Sequence, residues 1–108
     1  MFARNVSANL KPNMLSEYGH VFENQILPLL RKQTGFKDEV TFASASGLDV
    51  TAISFWDTKR DAETYNTNTY PEVVKILSKV IDGTPKVQTC EVISSTSHKI
   101  AAPIHAHA

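Results

Sequence analysis

The order in which the hydrophobic period changes along this chain constrains its fold more than any single motif. Phe2 to Leu10 alternates, with Phe2, Arg4, Val6 and Ala8 in one phase and Ala3, Asn5, Ser7 and Asn9 in the other, which predicts a strand. Lys11-Pro12-Asn13 breaks it, and Asn13 or Pro12 opens a helix. From Met14 to about Lys32 the period is helical: Leu15, Tyr18, Phe22 and Leu29 form a stripe that Val21, Ile26 and Leu30 widen. Pro28 has no N–H to offer the carbonyl of Asn24, so a kink is expected there, and Gly35 is a natural stop. Alternation returns from Phe36 to Ser46, with Phe36, Asp38, Val40, Phe42 and Ser44 in one phase, and again from Asp49 to Trp56. Ser46-Gly47-Leu48 supplies a tight hairpin connection. Asp57 or Thr58 caps a short helix from Lys59 to about Asn66. A polar break follows, and a second helix begins near Pro71 with Val73, Val74, Leu77, Val80 and Ile81 as its apolar face, ending at Asp82-Gly83. A last strand runs from Lys86 to about Thr96. Strand, helix, strand, strand, helices, strand implies an α+β fold of the ferredoxin-like βαββαβ type, a four-stranded antiparallel sheet with helices on one face.

With 108 residues the chain is one domain. Residues 1–97 are expected to hold it, and 98–108, which lack a period, to form a C-terminal tail. Eleven Lys and Arg balance 11 Asp and Glu, giving no formal net charge, which argues against a nucleic-acid partner. No apolar run approaches the roughly 20 residues of a membrane span, and no signal-peptide segment stands at the N-terminus. A cytoplasmic protein without a membrane partner is expected. Cys90 stands alone, excluding an internal disulfide framework and a multi-cysteine zinc site. No phosphate loop, paired metal-ligand spacing or nucleophile elbow is present, so neither a metal nor another cofactor is expected. His105 and His107 could hold a metal opportunistically, but two histidines in a tail are more often nothing. The strands carry apolar residues on both faces while helices cover one. A homodimer sealing the open sheet face is the simplest way to cover the other.

Two segments then carry a resemblance: Leu27-Pro28-Leu29-Leu30-Arg31-Lys32-Gln33-Thr34-Gly35-Phe36, and Ser54-Phe55-Trp56-Asp57-Thr58-Lys59-Arg60-Asp61-Ala62. The chain resembles, over residues 2 to about 96, the antibiotic biosynthesis monooxygenase domain of the dimeric α+β barrel superfamily. The resemblance implies a barrel-like dimer with a cavity between sheet and helices in each subunit. It also implies cofactor-independent monooxygenase activity on a small planar aromatic or polyketide-like substrate. In the heme-degrading branch, the strand-one Asn falls at Asn5, the Trp position at Tyr65, and the His position near Val74 or Lys75. The proximal ligand is therefore missing, and heme degradation is disfavoured.

Asn5, on the helix-facing side the resemblance implies, would polarise substrate or a bound oxygen species; the bland alternative is an inward amide satisfied by backbone or water. Tyr65 and His20 are the other catalytic candidates, for proton transfer. His20 lies two residues from Tyr18, off its helix face. Tyr18, Phe22, Trp56 and Tyr70 are the substrate-binding candidates, although Trp56 equally suits core or dimer packing. His98 has no visible partner, and Cys90 reads as a small buried side chain. The alternative to an enzyme is a non-catalytic dimeric small-molecule-binding or stress-response protein on the same scaffold.

Overall fold

The computed structural model describes residues 1–100. β1 (Phe2–Leu10) leads into α1 (Leu15–Val21), a π-helical turn (Phe22–Ile26) and α2 (Leu27–Arg31). Then come β2 (Phe36–Ala43), β3 (Asp49–Trp56), α3 (Lys59–Asn68), α4 (Tyr70–Leu77) and β4 (Ile81–Glu91). The strands pair antiparallel in the order β2-β3-β1-β4, and the ferredoxin-like α+β fold is the one the alternation of periods predicts.

The first helical stretch shows how Pro28 is accommodated. The Leu27 N–H donates to the Phe22 carbonyl, five residues back, so the turn widens just ahead of the proline instead of kinking at it. Gly35, at φ +79°, ends the connection, and a Cβ there would run into the Asp61 carboxylate. Thr58 caps α3 by accepting from the Asp61 N–H at 3.1 Å.

The structure moves four element boundaries from where the sequence places them. The polar segment from Asn66 to Thr69 does not break the helices apart: α3 runs on to Asn68, leaving Thr69 as the junction with α4. α4 ends at Leu77, where the Ser78 hydroxyl donates to the Lys75 carbonyl and competes with the helix. Val80 and Ile81 are buried as a turn and a strand start, not as a helical stripe, and β4 begins five residues before Lys86 and ends at Glu91. A register shift opposite Ser7 and Asn9 takes up Gly83-Thr84-Pro85. The sheet-edge position of β4 tolerates the proline.

A bulge within β2, which the alternation does not predict, decides which side chains face the helices. Phe36 pairs with Trp56 but Asp38 pairs with Phe55, so Lys37 is an inserted bulge residue and Phe36 does not share a face with Asp38, Val40 and Phe42. Phe36 packs edge-on against Trp56, at 5.6 Å between centroids, while Val40 and Phe42 face away from the helices and stay 40% and 56% exposed. Glu39, Thr41 and Ala43 take the helix side instead. The core between sheet and helices gathers Leu10, Tyr18, Val21, Phe22, Ile26, Leu30, Val50, Trp56, Tyr65, Val73 and Leu77.

Candidate functional site

Between the helix side of the sheet and the helices lies a narrow cavity with a free volume of about 30 Å³, room for a water molecule or two. Its floor comes from alternate residues of the strands: Arg4, Val6 and Ala8 on β1, Ala52 and Ser54 on β3, and Glu39 on β2. Its roof comes from helical side chains, among them Tyr18, Phe22, Tyr65 and Tyr70. Tyr18, Phe22 and Glu39 also line an outer groove of about 270 Å³ between α1 and the β2 side of the sheet.

An aromatic column organises the wall. Trp56, fully buried at the end of β3, stacks on Tyr65 at 4.9 Å and donates its indole N–H to Ser54 Oγ at 2.9 Å. Tyr65 in turn meets Tyr70 at 6.0 Å, and the Arg4 guanidinium lies over both phenol rings, 5.0 Å from the Tyr65 centroid and 4.4 Å from that of Tyr70. Arg4 is buried, with 2% of its surface exposed, and its Nη2 donates to Asn66 Oδ1 at 2.7 Å. That bond uses one of the five N–H donors of its fork.

Arg4 has no carboxylate within 4.0 Å among the described residues. A guanidinium keeps its charge in proteins even where burial, as here, lowers its pKa and the neighbouring tyrosines oppose that shift. The two cation–π contacts recover on the order of 2 kcal/mol apiece when desolvated, against a penalty of several kcal/mol for burying an ion. The Tyr70 hydroxyl, in the same wall, is the one buried side-chain polar atom without a hydrogen-bond partner among the described residues.

Glu39 is the carboxyl of the cavity. It accepts from the Thr41 hydroxyl at 2.5 Å. Burial raises its pKa above the ordinary 4.5, opposed by the Thr41 hydrogen bond and reinforced by the charge of Asp38. Glu39 and Arg4 line one cavity without pairing.

The tyrosines are proton donors at neutral pH. Burial pushes Tyr65 up to about 12, against the opposing charge of Arg4. Burial and the charge of Glu39 raise Tyr18 further, and burial raises Tyr70. A phenol that high does not accept a proton at pH 7, so the cavity's acid–base division is Glu39 as acceptor and the phenols as donors.

The cavity thus brings together Tyr18, Phe22, Tyr65 and Tyr70 of the residues expected from sequence. It does not include the others. Asn5 does not lie on the helix side: β1 alternates with Arg4 inward, and Asn5 faces the open side, where its amide donates to Cys90 Sγ at 3.8 Å. His20 is exposed on α1. Trp56 backs Tyr65 from within the core and is not part of the lining. His98, for which the sequence offers no partner, lies 3.4 Å from Asp38 Oδ2 with its ring against Phe55. His105 and His107 lie outside the described residues.

Arg4 and Glu39 are the residues the sequence reading missed. Arg4 carries a signal there, a charge in the otherwise apolar phase of Phe2, Val6 and Ala8. Glu39 has none, because the bulge at Lys37 decides its side. Among the described residues no three His, Cys, Asp or Glu side chains gather as metal ligands, and no helix is long and apolar enough to cross a membrane.

This sheet order and helix placement are shared with solved structures of antibiotic biosynthesis monooxygenase-like proteins. One is the monooxygenase from the gene ActVA-Orf6 of Streptomyces coelicolor, in complex with the ligand nanaomycin D. It is 17% identical, with a TM-score of 0.74, over 87% of this chain and 88% of that one. The cofactor-independent oxygenase SnoaB of Streptomyces nogalater is 10% identical, with a TM-score of 0.73, over 90% of this chain and 97% of its own. A candidate antibiotic biosynthesis monooxygenase from Bordetella bronchiseptica is 14% identical, with a TM-score of 0.72, over 86% of this chain and 97% of its own. At these identities the likeness is one of fold. No family model and no curated protein matches the sequence.

Proposed function

We propose that the protein is a cofactor-independent monooxygenase acting on a small planar aromatic or polyketide-like substrate, working as a cytoplasmic homodimer. The observation that carries this reading is the cavity wall. Three phenols, one cation and one carboxyl converge there, in a fold shared with two oxygenases of Streptomyces. Glu39 takes a proton from an acidic C–H of the substrate. The resulting carbanion reacts with oxygen to give a peroxide, which is reprotonated by a phenol of the wall and loses water to leave a carbonyl. The free volume of about 30 Å³ is too small for a ring, so a substrate enters by displacing Tyr18 and Phe22 outward into the adjoining groove. The π-helical turn that begins at Phe22 suits that movement, since such turns mark functional places in helices.

The test is oxygen uptake by metal- and flavin-free protein with anthrone as substrate. Uptake above the uncatalysed rate is expected, and Glu39→Gln is expected to lower it by about 100-fold or more, the usual contribution of a general base. No uptake over the background, or full uptake by the variant, overturns the assignment. The tight packing of the cavity is the observation favouring the second reading, a non-catalytic small-molecule-binding protein, which predicts ligand binding without turnover.

A further inference from the structure

We propose that Arg4, together with the unpartnered Tyr70 hydroxyl, is a recognition point for a single oxyanion carried on a planar ring, a carboxylate or an ionised hydroxyl. The inference deepens the reading above and rests on the same cavity, but it concerns binding and stands whether or not turnover occurs. Four observations converge. The guanidinium is all but fully buried, yet has no carboxylate partner among the described residues. It lies over two tyrosine rings and donates one hydrogen bond, to Asn66, which uses one of the five donors of the fork. The Tyr70 hydroxyl beside it is buried with no acceptor. The free space these residues line admits one small polar group.

Chemistry narrows the ligand. A guanidinium fork and a phenol O–H both donate, so the missing group is an acceptor, and the uncompensated charge selects an anionic one. The ring that carries it lies toward the groove that shares Tyr18, Phe22 and Glu39 with the cavity, against aromatic faces. Glu39 on the same wall is the specificity counterpart: it repels a second anionic group and tolerates a neutral edge.

The probes are 2-naphthoate, the neutral isostere 2-naphthamide, and acetate, titrated into the full chain at pH 7 by calorimetry. The fluorescence of Trp56, which stacks on the Tyr65 ring beneath Arg4, serves as a local reporter. Naphthoate is expected to bind at least ten-fold more tightly than naphthamide and to perturb Trp56, with acetate far weaker. Arg4→Met removes an unpaired buried charge, so it is expected to leave the melting temperature unchanged or higher while abolishing the preference for naphthoate. Tyr70→Phe, which alters one oxygen atom, is expected to reduce that preference several-fold. Equal binding of naphthoate and naphthamide, no binding of either, or a preference that survives Arg4→Met overturns the proposal. Acetate binding as tightly as naphthoate overturns the ring-borne ligand in favour of a free small anion. A naphthoate preference without oxygen uptake leaves the oxyanion site standing and removes the monooxygenase reading; uptake without the preference does the reverse.

Discussion

Glu39 shows how one side chain can weigh stability against function. Its folded-state pKa lies above the ordinary 4.5 because burial disfavours the carboxylate. Between 4.5 and that raised value the folded chain holds more protons than the unfolded one, so stability falls as pH rises through the window and stays lower above it. Glu39→Gln, which has no charge to bury, should therefore melt at a higher temperature than the wild type at pH 8 and show no gain at pH 4. Thermal denaturation across that range reads the difference directly, and a gain independent of pH would remove the buried carboxylate as its cause. The same residue marks a boundary of what a sequence reveals. Tyr18, Phe22, Tyr65 and Tyr70 could be expected in the wall because their spacing or helix position puts them on inward faces. Glu39 could not, since its side depends on an insertion with no composition of its own. Asn5 and Arg4 are adjacent on a strand whose pattern leaves open which phase faces the helices, and the charged one turned inward.

Among the elements, those specified by local chemistry are the ones legible from the residues alone. β1 and β3 have the bounds their alternation predicts, and the α3 cap is the one Thr58 offers. Thr58→Ala should cost about 1 kcal/mol, seen as a melting temperature lower by roughly 4–8 °C, while Thr58→Ser should restore most of it. A loss in both alike would place the role of Thr58 elsewhere than in its hydroxyl. Elements decided by tertiary burial read less well. Val80 and Ile81 continue the apolar spacing of α4, but Val80 is buried in a turn and the sheet claims Ile81, opposite Leu10 on β1. The first helix has the length its stripe predicts, but the answer to Pro28 is a wider turn placed before it. That answer depends on where Phe22 and Ile26 can pack, not on the proline alone.

At the scale of the whole molecule the two faces of the sheet have different fates. One is roofed by helices. The other presents Val40 and Phe42, with Ile53 opposite Val40 and Phe55 opposite Asp38 on the same face, and His98 packs against Phe55 there. The proposed homodimer would cover this surface. Light scattering at micromolar concentration should give twice the chain mass, and Val40→Asp with Phe42→Asp should give the single chain with its fold intact, because both positions are exposed in the lone subunit. A wild-type monomer would remove the dimer.

The bulge at Lys37 has a broader meaning for how such a chain can change. Downstream of it, Glu39 and Thr41 belong to the interior and Val40 and Phe42 to the exterior, and a strand with side-chain period two has no intermediate arrangement. Straightening the strand with Lys37 kept would exchange the two sets together, turning Val40 and Phe42 onto the cavity and Glu39 and Thr41 onto the opposite face, whereas loss of Lys37 itself would leave Asp38 opposite Phe55 and both sets in place. Ligand chemistry and the proposed self-association are therefore not separately inherited. They are tied to one irregularity of β2, and a lineage whose strand straightened around Lys37 would alter both.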